Sequence, residues 1–169
     1  LDTAIQGRGF FQVSLPSGET AYTRAGSFQI GADGSLVTID GFQITPTISV
    51  PPTATSISIN QSGDVSATIP GQTAAQVLGT LQTVNFINDA GLQANGNNLF
   101  LETAASGSPV SGTPGQDGFG TILQGFLESS NVNPVTELTN LIKAQRVYEM
   151  NSKVVTKSDE MLQSLNQSV

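Results

Sequence analysis

A chain of 169 residues has room for one ordinary domain and an appendage, and it carries enough apolar side chains to build a core. Only 11% of residues are charged, and His, Cys and Trp are absent. Those absences remove the side chain that titrates near neutrality, thiolate nucleophiles, zinc knuckles and any disulfide framework.

The net charge of −7 is unevenly spread. In residues 1–133 only Arg8 and Arg24 stand against the carboxylates, whereas residues 134–169 balance cations and anions. An acidic body without a basic stripe is unsuited to phosphate backbones, so nucleic acid is not an expected partner. No run of eighteen apolar residues occurs, so direct insertion of a helix into a membrane is not expected either. The first residue is Leu1 in place of Met, which leads to the expectation of a native segment upstream.

Residues 1–133 read as a β-rich domain of hairpins. Gly9 to Leu15 alternates apolar and polar residues, breaks at Pro16-Ser17-Gly18, and resumes over Ala21 to Arg24. A second hairpin sets Ser27–Ile30 against Leu36–Ile39 around Ala32-Asp33-Gly34. A third sets Ile57–Ile59 against Val65–Ile69 around Gln61-Ser62-Gly63. Glycine suits these turns because it accepts positive φ without a Cβ clash. Further strands are expected over 77–87, and over 99–103 after the Asn95-Gly96 turn. Residues 104–120, small and rich in Gly and Pro, predict a loop or an extended crossing segment. Phe10, Phe11, Phe28 and Phe42 are the aromatic candidates for the core.

At Pro134 the pattern changes. Asn133 is placed to cap a helix, and Pro134 suits its first position, where a missing N–H costs nothing. No Gly or Pro follows to residue 169, which predicts one helix about 50 Å long at roughly 1.5 Å per residue. Leu141, Tyr148, Val155 and Leu162 recur every seven residues, with Val147, Val154 and Met161 one position earlier. Ala144, Asn151, Ser158 and Leu165 occupy the other seam. Such a stripe calls for another helix, and the sequence contains no second helical stretch to supply it. The partner is expected from an upstream segment or from other copies; the alternative is a helix folded back as a cover over the sheet. The candidate assembly residues are Leu138, Leu141, Ile142, Arg146, Val147, Tyr148, Val154, Val155, Met161, Leu162 and Leu165. Arg146 is a candidate to pair with Glu149 or with Glu137 of a neighbour.

Catalytic chemistry finds little to use. Asp33, Asp40, Asp64, Asp89 and Asp117 sit in or beside turns, where Asp serves local backbone hydrogen bonding, and no pair stands out as the two carboxylates of a glycosidase. Serine hydrolysis has no His base and no Gly-x-Ser-x-Gly elbow. Gly7-Arg8-Gly9 lacks the third glycine and the helix of a dinucleotide loop. The turns at Asp33 and Asp64 lack the acidic spacing of a calcium loop. The sequence thus predicts no catalytic, cofactor-binding or metal-binding residues, no cofactor and no enzyme.

Two blocks carry a family resemblance. The stretch Ile5 to Val13 (IQGRGFFQV), with Ala21 to Phe28 (AYTRAGSF) and Gly34 to Thr38 (GSLVT), resembles the start of the β domain in flagellar rod and hook proteins. Gly125 to Val132 (GFLESSNV) and Glu137 to Val154 resemble that family's C-terminal signature. Gly41 to Pro46 and Ile57 to Ile59 are most similar to the distal-rod branch. The resemblance implies an α+β chain, a mainly antiparallel β domain at 1–133 followed by a coiled-coil-type helix at 134–169 belonging to an inner tube. It implies a structural subunit polymerising helically with copies of itself into a drive shaft that transmits torque. Its other implied partners are the remaining rod, hook and ring proteins of the basal body, where the rod crosses the periplasm toward the outer membrane. A proximal-rod or hook subunit is the rival within the family. A β-rich adhesin or carbohydrate-binding module is the rival outside it, although only Tyr22 and Tyr148 could supply a polar aromatic platform.

Overall fold

The computed structural model describes residues 1–72 and 74–167, with side chains described through residue 163. It divides into two compact units, Leu1–Glu128 and a second beginning at Ser129. The first is built of antiparallel sheets and the second contains one long helix, so the fold is α+β.

The strands in chain order are β1 (Thr3–Gln6), β2 (Phe10–Ser14), β3 (Thr20–Thr23), β4 (Phe28–Ile30), β5 (Leu36–Thr38), β6 (Gln43–Thr45) and β7 (Ser56–Ile59). They continue with β8 (Asp64–Thr68), β9 (Gln76–Thr80), β10 (Thr83–Asn85), β11 (Gln93–Ala94), β12 (Leu99–Leu101), β13 (Val110–Gly112) and β14 (Thr121–Gln124). The three hairpins expected from local pattern are β2–β3, β4–β5 and β7–β8, each paired antiparallel. Gly18, Gly34 and Gly63 sit in their turns at φ of 83°, 80° and 85°.

The central strand is β2. One edge pairs with β3 along Phe11–Ser14. The other is shared, with Phe10 and Phe11 against β10 and Gln12–Ser14 against β6. The nine-stranded sheet runs β11-β12-β3-β2-β6-β5-β4, with β10 on β2 and β13 on β10. Alternation along β2 then divides the apolar residues between two faces. Phe11 and Val13 enter the larger core with Phe28, Leu36 and Ile44, while Phe10 joins Tyr22, Val84 and Phe86 in a second cluster. Edge-to-face packing of Phe10 on Phe86 and Phe100, and of Tyr22 on Phe86, builds that cluster. Phe42 is half-buried against the larger core.

Three features depart from the expected elements. The anticipated strand over 77–87 is two strands in different sheets: the buried Leu81 turns its N–H to Gly63 O at 2.7 Å, ending β9 before β10 begins. The anticipated loop over 104–120 contains β13, which β10 recruits through Thr83↔Gly112 to Asn85↔Val110. Strands β1 and β14, from opposite ends of the first unit, pair in a sheet of their own.

Candidate assembly surface

The helix α1 (Pro134–Gln167) begins where the sequence predicts. Asn133 caps it: its Oδ1 accepts from the N–H groups of Val135 at 3.0 Å and Thr136 at 3.4 Å. Two backbone donors that have no helical partner are thereby satisfied. Lys157 Nζ and Glu160 Oε2, 2.6 Å apart and both exposed, form an i,i+3 pair on its surface.

The candidate residues Leu138, Leu141, Ile142, Arg146, Val147, Tyr148, Val154, Val155, Met161 and Leu162 are all exposed. Tyr148 stands out furthest, at 77%. The side chain of Leu165 lies outside the described residues. Arg146 has no ion pair among the described residues.

Helix geometry does not gather them into one narrow seam. At about 100° per residue, Leu138 and Ile142 project, with the also exposed Val135, on a side roughly 130° round the axis from Val147, Val154 and Met161. Leu141 and Tyr148 lie between the two groups. The apolar surface therefore winds around the helix, with its first turns presenting one side and its later turns another.

Upstream of the helix, the first unit fixes its last residues through two side chains that the sequence reading did not single out. Arg24 spreads its guanidinium over the Ile5–Gly9 corner. Nη1 donates to Gly7 O (3.0 Å) and Gly9 O (2.8 Å), Nη2 donates to Ile5 O (3.0 Å), and Nε donates to Glu128 Oε2 (2.8 Å). The planar fork makes this possible, since a single ammonium lacks that spread of donors. Gln124, on β14, acts as a surrogate strand residue: its Oε1 accepts from Ile59 N at 2.7 Å and its Nε2 donates to Ile57 O at 3.1 Å. That pair joins the β7–β8–β9 sheet to the β1–β14 sheet. Arg24 could have been noticed as one of only two cations in residues 1–133; no sequence signal marks Gln124.

The turn carboxylates are engaged locally. Asp33 Oδ1 accepts from the N–H and hydroxyl of Ser35 at 3.1 and 2.7 Å, and the hydroxyl bond above all holds its carboxyl below the usual range. Asp64 accepts from Thr80 Oγ1 at 2.7 Å and Asn60 Nδ2 at 2.9 Å, which lower it likewise. A polar pocket of about 280 Å³, with Thr23, Ser27, Thr38, Asn97 and Asn98 in its wall, contains a single carboxylate, Asp40. One carboxylate without a second titratable group cannot divide acid and base roles.

Residues 4–67 match the flagellar hook protein FlgE/F/G D1 domain, and residues 123–168 match the C-terminal domain of the flagellar basal body rod FlgEFG proteins. The chain belongs to this flagellar rod and hook family. Within it, the chain is 53% identical over 167 residues to the flagellar basal-body rod protein FlgG of Caulobacter vibrioides, covering 99% of this chain and 64% of that protein. It is 52% identical over 166 residues to FlgG of Buchnera aphidicola from Acyrthosiphon pisum, covering 98% and 64%. The flagellar hook protein FlgE of Salmonella typhimurium is 39% identical over 110 residues, covering 65% of this chain and 27% of that protein. The chain thus spans about 64% of the length of the rod relatives it matches. No helix among the described residues is long and apolar enough to cross a membrane.

Proposed function

We propose that this chain is a structural subunit of the flagellar distal rod, and not an enzyme, polymerising helically with copies of itself into the shaft between motor and hook. The observation that carries the reading is its identity of about half to basal-body FlgG proteins over nearly its whole length. Similarity to a hook protein is lower and covers less of the chain, which favours rod over hook. Other rod, hook and ring proteins are its neighbours in the basal body, along the part of the flagellum that crosses the periplasm.

The exposed helix supports a polymer physically. An isolated helix of this length in water gains little from propensity alone and depends on packing. Large apolar side chains stand exposed along it from Val135 to Leu162. Burying them would contribute on the order of 10 kcal/mol, at roughly 1 kcal/mol for each already half-covered residue. Contacts made by different faces of one subunit do not close on themselves and so extend into a helical filament. Leu138, Leu141, Ile142, Arg146, Val147, Tyr148, Val154, Val155, Met161, Leu162 and Leu165 are the residues assigned to that packing.

The test is electron microscopy with sedimentation of the full-length protein, beside a version cut before Pro134. Filaments that disappear on truncation support the reading. A stable monomer in both, with an unchanged melting temperature, refutes it.

A further inference from the structure

A polymer of acidic subunits must solve a problem of like charge, and the structure contains a place where it is solved. Both arginines of the first unit are engaged, Arg8 with Asp89 at 3.1 Å and Arg24 with Glu128 at 2.8 Å. Its side-chain surface charge is therefore one-signed apart from those two neutral pairs. Close approach of two such surfaces is opposed unless the contact avoids the carboxylates.

Two uncharged regions stand out. From Val65 to Asn88 there is no charged residue, and from Thr103 to Gln116 there is none. The first region includes β9, which ends its sheet and, among the described residues, pairs on one side only, with β8. Its sequence, Gln-Val-Leu-Gly-Thr, has none of the Lys, Pro or acidic residues that keep an edge strand from pairing. Val77 on it is 60% exposed. The one charge on the strands of the β7–β8–β9 sheet is Asp64, held at the Thr80 end by Thr80 and Asn60. The second region meets the end of the first. Ile87, 85% exposed, lies over Gly107, and Val110, 55% exposed, stands opposite Asn85 on the outer strand β13. The nearest charges to Ile87 in the chain, Asp89 and its partner Arg8, cancel.

We infer that these two patches are complementary halves of one contact between copies of this chain: the β9 edge around Val77 of one subunit receives the Ile87–Val110 knob of the next. The inference rests on the polymer reading and adds the surfaces that it would use in the first unit. Both halves are apolar and uncharged, so burial proceeds without desolvating a carboxylate. Because they are different patches, the contact is head-to-tail and propagates, whereas a self-matching patch would stop at a dimer.

No cysteine in these 169 residues competes with an introduced one, which makes the test direct. Full-length Val77→Cys and Val110→Cys proteins are mixed in equal amounts, assembled and treated with a short bismaleimide, and the joined peptides are read by mass spectrometry. The expected product is the Val77–Val110 pair, present in mixed filaments, with neither variant alone giving a cross-linked dimer. Val77→Glu should slow filament growth at least about tenfold while leaving the monomer's melting temperature unchanged, and raised salt should restore part of the rate. Joined Val77–Val77 peptides would overturn the head-to-tail contact. So would filaments without cross-links, or Val77→Glu growing at the unsubstituted rate; in both cases the polymer reading would survive. An unsubstituted full-length chain that never assembles would remove that reading and this contact together.

Discussion

Replacing Arg24 with Met keeps most of the side chain's apolar stem and deletes four hydrogen bonds at once. Three are to the backbone carbonyls of Ile5, Gly7 and Gly9, and the fourth is to Glu128. Arg24 is only 27% exposed at its side chain, so the carbonyl bonds are partly shielded. Each is worth about 1 kcal/mol net of the water that would replace the guanidinium. The Glu128 pair, 45% exposed on the acid side, adds well under about 1 kcal/mol. The guanidinium carbon, 6.0 Å from the Phe10 ring centre, adds a few tenths more. The sum is about 3 kcal/mol, and for a unit of this size that lowers the melting temperature by roughly 10 °C. Glu128→Gln removes only the ion pair and should cost at most about 3 °C, a difference that closes in about 1 M salt. Arg24→Lys should recover less than half of the loss, because one ammonium cannot serve all three carbonyls. The readout is thermal unfolding followed by near-ultraviolet circular dichroism. If Arg24→Met melts within about 3 °C of the parent, like Glu128→Gln, the carbonyl clamp carries no stability and the reasoning is wrong.

Gly26→Ala should cost about 3 kcal/mol or more in a urea titration, since its Cβ would overlap the Thr3 carbonyl, which is backbone and cannot swing aside. Gly41→Ala, with open space around it and only a positive φ of 85° to strain, should cost about 1 kcal/mol; equal losses would contradict the steric account. Burial, and secondarily the nearby Glu102 carboxylate, push the Tyr22 hydroxyl up from 10.0 to about 12. A raised pKa favours the protonated native form, so its contribution is complete below about pH 10 and is lost by about pH 12. Allowing for solvent screening at the hydroxyl, that contribution is about 1–2 kcal/mol. Tyr22→Phe should flatten the alkaline limb of the stability–pH curve over that window, and an unchanged limb would exclude Tyr22 as its source.

What the sequence disclosed follows from the range of each interaction. The β2–β3, β4–β5 and β7–β8 hairpins were legible because alternation and a turn glycine lie within a few residues of each other. The start of α1 was legible for the same reason, since Asn133 and Pro134 act on their immediate neighbours. Strands β1 and β14 were not, because Ile5 and Ile122 meet across more than a hundred residues and Thr3–Gln6 is too short to show a period. Strand β13 was hidden behind Pro109 and Gly112, residues that usually mark loops; its order comes from β10. The 77–87 run kept its strand-like composition through Leu81, and only the bond to Gly63 reveals the break. Arg24 was invisible as a clamp because its main acceptors are carbonyls, which every residue possesses.

The two units place opposite demands on their apolar residues. In the first, Phe11, Val13, Phe28, Leu36 and Val65 are almost wholly buried, so their transfer energy is already spent within the subunit. On α1, Leu141, Tyr148, Val155 and Leu162 retain most of their exposure, and whatever stability they offer becomes available only when another surface covers them. Substitutions in the two sets should therefore separate by phenotype. Phe11→Ala, which leaves a cavity in a closed core, should lower the melting temperature of the free subunit by an amount equivalent to about 3–5 kcal/mol. Leu141→Ala removes no buried contact and should leave that temperature nearly unchanged, while raising the concentration needed for assembly. If both changes destabilise the free subunit equally, Leu141 is serving an internal core and the division of labour between the units fails.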